Sequence, residues 1–498
     1  MKATIRLDTE YTVGEIDPRI FSGFLEHLGR AVYEGVYEPG NPLSDADGFR
    51  TDVLEALRKL RMPYIRYPGG NFVSNYDWRD GIGPGDRRPV RPDFAWKSLE
   101  PNTFGTDEFV KWCRKLGTEP MLAVNLGTLG PREAAALVEY CNLDVGSYWG
   151  QRRVQNGNRQ PHDVKLWCLG NEMDGPWQAG HVPAREYSMR AQQAARLMKG
   201  LDPSIELVLC GSSARRLPTY MEWDREVLEY CWEDVEYISA HRYSRNTEND
   251  SAWFLAEGVE IDRILEDYRG LLAYVRGLKK SEKRVYLSFD EWNVWYKNME
   301  RDGRWTFAPH LIEEVYNLED ALICGQYLNS FIRNADMVKV ACIAQIVNVI
   351  APILTRPDGI LIQSTYYPFH LYSANARGRS LVPVVDGPTY HAGARGDVPV
   401  LDVSASYDAG GRRMCIFAVN RSLTEDVEVT ANLTGCAVRQ VGEANVLCGD
   451  DPKAHNSWEQ RDVVRPGSAA MLLRDTTKNA VRFEVPRLGL VVLGLELS

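Results

Sequence analysis

Short apolar runs alternate with longer helical patterns between about residues 20 and 346, and this alternation constrains the fold more than any other feature. Intervening segments such as residues 107–117 and 184–201 have apolar residues every three or four positions, as amphipathic helices do. Strands that alternate with helices form βαβ units around a parallel sheet. The apolar runs predict strands at residues 20–28, 64–67, 120–126, 164–169, 205–210, 237–240, 285–289 and 337–346.

Eight strands with helices between them are what a (β/α)8 TIM barrel requires, so we predict an α/β fold with this barrel at its centre. A doubly wound open sheet is the alternative. No GxGxxG or Walker motif follows any of these strands. The nucleotide-binding forms of the open sheet therefore lack their usual support.

After about residue 385 the pattern changes to short segments in which apolar and polar residues alternate, such as VLDVSASYD and CIFAVNR. Turn signals such as AGG and RPGS separate these segments. This pattern predicts a C-terminal, jelly-roll-like β-sandwich. The opening segment ATIRLDTEYTVGEI alternates in the same way, so we expect it to pair with the C-terminal sheet. The predicted division is residues 1–17 (amino-terminal strand), 18–384 (barrel) and 385–498 (sandwich).

Charge and apolar patterning exclude several partner classes. Lys and Arg number 58 against 68 for Asp and Glu, and no basic run could follow a phosphate backbone, so no nucleic acid partner is expected. The amino terminus lacks the continuous apolar core of a signal peptide, and no run of about 20 apolar residues predicts a membrane span. We therefore expect a cytoplasmic protein without a membrane partner.

Cysteine and histidine spacing gives no metal motif. The ten cysteines form no CxxC pair, and the eight histidines show no HxxxH spacing. Scattered cysteines inside apolar segments are typical of reduced thiols that pack as small hydrophobes. We expect neither a metal nor a cofactor.

Polar side chains gather at the predicted carboxyl ends of the barrel strands, which form the active-site mouth in this fold. Stability alone does not require such a ring of hydrogen-bonding groups at one end of a barrel. The ring comprises Glu26, Arg66, Asn71, Asn171, Glu172, His241, Tyr243, Asp290, Glu291 and Gln345.

Two carboxylates stand out in this ring, Glu172 on the fourth strand and Glu291 on the seventh. Such a pair can divide labour, one as acid and the other as nucleophile or base, which is the chemistry of glycosidases. The abundant aromatic residues suit sugar stacking. Strand alternation predicts that Asp290 is turned away from the face that Glu291 uses.

Five motifs in order along the chain, GFLEHLGR, IRYPGGNF, LGNE, DEWN and AQIVNVIAPI, resemble the α-L-arabinofuranosidases of glycoside hydrolase family 51. The resemblance spans essentially the whole chain. It implies a retaining barrel enzyme with Glu172 as acid/base and Glu291 as nucleophile.

The resemblance also implies a sugar-binding set around this pair. Asn171 would bond the hydroxyl next to the reacting carbon, Tyr243 would hold the nucleophile, and His241 would lie near the acid/base. The remaining expected contacts to the furanose ring are Glu26, Arg66, Asn71 and Gln345, with Trp96 and Trp295 as apolar walls.

These expectations point to an exo-acting hydrolase that removes terminal arabinofuranose from oligosaccharides derived from arabinan or arabinoxylan. The family resemblance also suggests a homo-oligomer, commonly a hexamer. The alternatives are an endo-β-glucanase or β-xylosidase of the same clan, and a carbohydrate-binding protein without catalysis. Product analysis on linear glucan and on arabino-oligosaccharide separates the two enzyme alternatives from the arabinofuranosidase. An unchanged hydrolytic rate in Glu291→Ala would favour the carbohydrate-binding protein.

Overall fold

A closed barrel of eight parallel strands lies at the centre of the computed structural model, which describes residues 1–144 and 146–498. The strands, numbered here β1 to β8, are Ser22–Phe24, Tyr64–Tyr67, Glu119–Val124, Leu166–Leu169, Glu206–Leu209, Tyr237–Ser244, Tyr286–Val294 and Val338–Ala344. Each strand pairs with the next along the chain, and β8 pairs with β1. The predicted TIM barrel is confirmed, and the open sheet is wrong.

The barrel strands are connected mainly by amphipathic helices. The helix that precedes β3, for example, buries Phe109, Trp112 and Leu116, and it ends at Gly117, whose φ of 86° suits glycine. The α-helices of the described chain are Thr51–Leu60, Thr106–Leu116, Pro131–Asn142, Tyr148–Gln155, Ala184–Leu201, Glu222–Cys231, Ser251–Phe254, Glu257–Lys279, Leu318–Arg333 and Tyr366–Asn375. Short 3-10 turns are Pro18–Phe21, Asn71–Asn75, Trp78–Gly81, Gly85–Arg87, Gly393–Arg395 and Ala470–Leu472.

Two further sheets form the C-terminal sandwich around their own apolar core. One has the strand order Val384–Asp386, Lys2–Asp8, Val427–Thr434, Ala480–Val485 and Leu473–Thr477. The other has the order Thr12–Glu15, Arg379–Leu381, Leu401–Asp408, Arg413–Asn420, Gly489–Leu497, Val438–Cys448 and Gly467–Ser468.

The amino-terminal strand Lys2–Asp8 runs parallel to Val427–Thr434, with Ile5 opposite Ala431, so it joins the sandwich as its alternation predicted. The strand Arg379–Leu381, which precedes the predicted start of the sandwich at residue 385, also belongs to these sheets. The division at residues 17/18 and 384/385 stays a prediction.

Two long loops at the carboxyl end of the barrel are bonded to each other. The first follows β2 and carries the hairpin Arg91–Asp93 with Ser98–Glu100; the second follows β7. Backbone bonds join Gly303 N to Trp96 O (2.9 Å) and Trp305 N to Lys97 O (2.7 Å). Each loop therefore restrains the other at the rim.

Two other short hairpins are Ile353–Arg356 with Gly359–Ile362, and Thr389–His391 with Asp397–Pro399. No helix within the described ranges combines the length and apolar character needed to cross a membrane.

Candidate active site

Most of the predicted site residues line one cavity at the carboxyl end of the barrel. Arg66 and Asn171 are buried beside the residues that line it, and Arg66 donates hydrogen bonds to both Glu291 and Asn171. The predicted residues that face the cavity are Glu26, Asn71, Trp96, Glu172, His241, Tyr243, Glu291, Trp295 and Gln345.

The two glutamates approach each other from opposite sides of this cavity. Glu172 follows β4, and its φ of 46° is a left-handed conformation that is strained for a residue with a side chain. Glu291 lies within β7. One oxygen of Glu172 and one of Glu291 lie within 4.8 Å of each other. The strained turn after β4 thus places the first carboxylate beside the second.

Glu291 is held by bonds to both of its oxygens. Arg66 Nη1 donates to Oε1 (2.8 Å), and the hydroxyl of Tyr243 donates to Oε2 (2.9 Å). Burial raises the pKa of Glu291 and the nearby Glu172 adds to this, while His241 and Arg66 act in the opposite direction. The carboxylate is therefore fixed in position by donors that favour its ionised form.

His241 bridges three carboxylates in the interior of the barrel. Its Nδ1 lies 2.9 Å from Glu172 Oε1 and 3.5 Å from Glu291 Oε2, and its Nε2 lies 3.0 Å from Asp290 Oδ1. Burial alone would lower the pKa of His241, but these carboxylates outweigh burial and raise it to about 10. His241 is therefore an imidazolium at neutral pH and donates from both ring nitrogens.

The expected orientation of Asp290 is wrong. Its carboxylate contacts His241 and lies 3.6 Å from Arg66 Nε, inside the barrel. The register of β7 against β8 is irregular between Phe289 and Trp292, so simple alternation does not hold there. Consecutive carboxylates can therefore both face the interior.

Arg66 fixes the orientation of the Asn171 amide. Its Nη2 donates to Asn171 Oδ1 (2.6 Å), and because arginine can only donate, Nδ2 must be the other amide atom. This Nδ2 is buried and has no hydrogen-bond partner in the described chain. A buried donor without a partner is rare, and it is available to a ligand oxygen.

Glu26 anchors the opposite wall of the cavity. Its Oε1 accepts bonds from Phe72 N and Trp96 Nε1 (both 2.9 Å), and its Oε2 accepts one from Gln345 Nε2 (3.0 Å). Gln345 Oε1 in turn accepts from the backbone N of Glu26. Burial raises the pKa of Glu26 to about 8 despite these donors. Burial therefore makes Glu26 a weaker acid than an ordinary glutamic acid, so its carboxyl retains a proton to higher pH.

Gly70 leaves the space that Glu26 occupies, because a Cβ atom at residue 70 would lie 2.2 Å from Glu26 Oε2. We expect Gly70→Ala to displace this carboxyl and to lower kcat/KM for a glycoside substrate about 100-fold, as misplacing a positioned group by about 1 Å can do. Steady-state kinetics measures the loss. Gly85→Ala is the matched control, since a Cβ there meets no atom within 4 Å. Equal kinetics in the two variants would contradict the positioning of Glu26 by Gly70.

Glu172, His241 and Glu291 are also close enough to bind one metal ion. However, the nitrogen and oxygen atoms that would bind it are already joined to one another or to Arg66 and Tyr243. An imidazolium is not a metal ligand, so this arrangement favours acid–base chemistry over metal binding.

Two family models match the chain. One, described as the alpha-L-arabinofuranosidase 1 domain, matches residues 56–259, and the other, described as the alpha-L-arabinofuranosidase C-terminal domain, matches residues 290–488. The chain is also 38% identical to a family 51 alpha-L-arabinofuranosidase structure from Bifidobacterium longum, with a TM-score of 0.95 over 99% of both chains. The chain belongs to the α-L-arabinofuranosidases of glycoside hydrolase family 51.

Curated relatives of this family 51 chain carry more specific names. An intracellular exo-alpha-(1->5)-L-arabinofuranosidase from Acetivibrio thermocellus is 47% identical over 470 residues, covering 93% of each chain. A relative from Bacillus subtilis with the corresponding name is 46% identical, again over 93% of each chain.

Several residues that line the cavity, Trp177 among them, were not identified by the sequence analysis. Trp177 lines the cavity, and its Nε1 donates to Glu172 Oε2 (2.8 Å) while its side chain remains partly exposed. No period or spacing marks a tryptophan five residues after Glu172 as a partner of that carboxylate. Trp295, which was expected, packs edge-on against Tyr243 with 5.4 Å between ring centres.

Proposed function

We propose that the chain is a retaining, exo-acting α-L-arabinofuranosidase in which Glu172 is the acid/base and Glu291 the nucleophile. The observation that carries this proposal is the separation of their nearest oxygens, within 4.8 Å. Retaining glycosidases hold their carboxyl groups about 5 to 5.5 Å apart, whereas inverting enzymes need about 6.5 to 9.5 Å to admit a water molecule.

In the first step, Glu291 attacks the anomeric carbon while Glu172 donates its proton to the glycosidic oxygen. The bond between this oxygen and the anomeric carbon breaks, and a covalent arabinosyl ester forms on Glu291. Arg66 and Tyr243 hold the attacking carboxylate in place through their bonds of 2.8 and 2.9 Å. They restrict it to the geometry that the attack requires.

In the second step, Glu172, now ionised, takes a proton from a water molecule that attacks the same carbon. The ester bond to Glu291 breaks, and arabinose leaves with the configuration that it had in the substrate. His241 and Trp177 position Glu172 for both steps through bonds to its two oxygens.

The sugar-binding roles follow from donors that remain available. Asn171 Nδ2 is the donor for the hydroxyl next to the reacting carbon, a contact that strengthens in the transition state. Glu26, held by Gln345 and Trp96, forms a hydrogen bond with another sugar hydroxyl. Asn71 and Trp295 complete the wall around the furanose ring.

The substrate and its location are proposed from the relatives. Both curated relatives are named as intracellular exo-acting enzymes for (1->5) linkages, so we propose that this chain acts inside the cell on arabino-oligosaccharides. We further propose a homo-oligomer, commonly a hexamer in enzymes of this type; light scattering measures its mass.

The experiment is hydrolysis of 4-nitrophenyl α-L-arabinofuranoside and of (1→5)-linked arabinobiose, with NMR of the product before its anomers equilibrate. We expect the α-anomer of arabinose from both substrates and no cleavage of linear β-glucan or β-xylosides. Initial release of the β-anomer would contradict retention. A folded protein that cleaves only glucan or xyloside would favour the alternative enzymes of the same clan.

A further inference from the structure

Five arginines line the active-site cavity, and they differ in how their charges are balanced. Arg215 pairs with Glu260 (3.1 Å) and Asp267 (3.4 Å), and Arg242 pairs with Glu257. Arg216, Arg245 and Arg301 form no ion pair with any carboxylate in the described part of the chain. These three residues are called the arginine cluster below.

The members of the arginine cluster are close enough to repel one another. Burial lowers the pKa of Arg245, and the positive charges of Arg216 and Arg301 lower it further. Burial and Arg216 also lower the pKa of Arg301, while Glu172 acts in the opposite direction. Like charges that no ion pair balances raise the free energy of the empty site, and a bound anion would relieve this repulsion.

Two members of the cluster, Arg245 and Arg301, lie beside Trp295 in the cavity. The Arg301 guanidinium stacks over the Trp295 ring at 4.3 Å, and that of Arg245 lies 5.9 Å from the same ring. Arg301 is near enough to Glu172 for the two groups to interact electrostatically. Because Glu172 protonates the leaving group in the proposed mechanism, this proximity places Arg301 on the side where the leaving group departs.

The loop that carries Arg301 is anchored to the barrel rim. Gly303 N donates to Trp96 O, and Gly303 O accepts from the hydroxyl of Thr306. A guanidinium held on an aromatic ring and on an anchored loop loses less conformational freedom when it binds a ligand than a free arginine would.

We propose that the arginine cluster binds a carboxylate on the leaving group, so that the enzyme, besides acting on neutral arabino-oligosaccharides, cleaves arabinofuranose linked to a uronic acid residue faster than it cleaves the matched neutral glycoside. Guanidinium groups match the planar, two-oxygen geometry of a carboxylate. A neutral leaving group gives these cations no counter-charge. The inference rests on the proposed function, because it specifies the leaving-group subsite of the same reaction.

The test compares two disaccharides that differ in one group: an α-L-arabinofuranosyl uronic acid methyl glycoside, and its uronamide. The sugar and the linkage are the same, so the ratio of their kcat/KM values measures recognition of the carboxylate. We expect a ratio of about 10 or more in favour of the carboxylate in dilute buffer, decreasing as salt screens the charges.

Arg216→Gln, Arg245→Gln and Arg301→Gln should each reduce this ratio, and the triple variant should bring it close to one. Arg215→Gln is the matched control, since it removes a positive charge at the same cavity that is already balanced by Glu260 and Asp267. The control should leave the ratio unchanged. An equal fall in all four single variants would show a general loss of positive charge and would overturn the cluster as a specific subsite.

The outcomes separate this inference from the proposed function. If 4-nitrophenyl α-L-arabinofuranoside and both disaccharides resist hydrolysis by the folded protein, the proposed function fails. If both disaccharides are cleaved with a ratio near one, the function stands and the carboxylate subsite is wrong. Faster cleavage of an arabinofuranosyl sugar phosphate than of the uronic acid would overturn the assignment to uronic acids and identify a phosphate site.

Discussion

Glu291→Ala should lower kcat for 4-nitrophenyl α-L-arabinofuranoside by at least about 10⁴-fold, a loss typical of removing a nucleophile. Even a good leaving group needs the attacking carboxylate, so an activated substrate should not reduce the loss. Arg66 and Tyr243 would keep their positions around an empty space but would have no nucleophile to hold. Continuous assay of nitrophenol release measures the change.

Azide provides a second readout for Glu291→Ala that a structural defect could not imitate. A small anion in the vacated space attacks the anomeric carbon once from the face that Glu291 used, so the product should be the β-arabinofuranosyl azide. NMR distinguishes it from the α-azide.

Two controls accompany Glu291→Ala. Glu291→Gln keeps the shape of the side chain and should be comparably inactive. Glu282→Ala removes an exposed carboxylate near the opposite end of the same strand and should retain wild-type rates. Wild-type activity in folded Glu291→Ala would contradict the assignment and favour a nucleophile elsewhere.

The barrel could be predicted because its strands are short, apolar and regularly spaced. Leu166–Leu169 ends where it was predicted to end, since a buried parallel strand leaves a continuous apolar signal. The last strand residues were harder to predict. Tyr237–Ser244 and Tyr286–Val294 continue through His241 and Glu291, because backbone pairing holds polar residues in the strand where their side chains bind one another.

The site could be predicted as a set of residues but not as a network. Motif order identified Glu172 and Glu291, yet sequence spacing does not give the φ of 46° at Glu172 or the irregular register that turns Asp290 inward. Contacts between distant loops, such as Trp96 with Gly303, leave no local pattern either. The arginine cluster becomes visible only when residues 216, 245 and 301 are brought to one cavity.

Glu172→Ala should show a loss that depends on the leaving group, unlike Glu291→Ala. For (1→5)-linked arabinobiose we expect kcat/KM to decrease about 10³- to 10⁴-fold, because a sugar alkoxide cannot leave without a proton. For 2,4-dinitrophenyl α-L-arabinofuranoside the decrease should be within about tenfold, since this phenolate needs almost no protonation. Stopped-flow and steady-state rates on both substrates measure the difference.

Hydrolysis of the ester on Glu291 should become the slow step for the activated substrate, because Glu172 no longer removes a proton from water. Azide needs no such base, so it should accelerate turnover of Glu172→Ala and give the α-arabinofuranosyl azide after two displacements. Glu172→Gln, which keeps the side-chain shape near His241 and Trp177, controls for collapse of the site. Equal losses on both substrates, or a β-azide product, would mean that Glu172 contributes to sugar binding rather than to proton transfer.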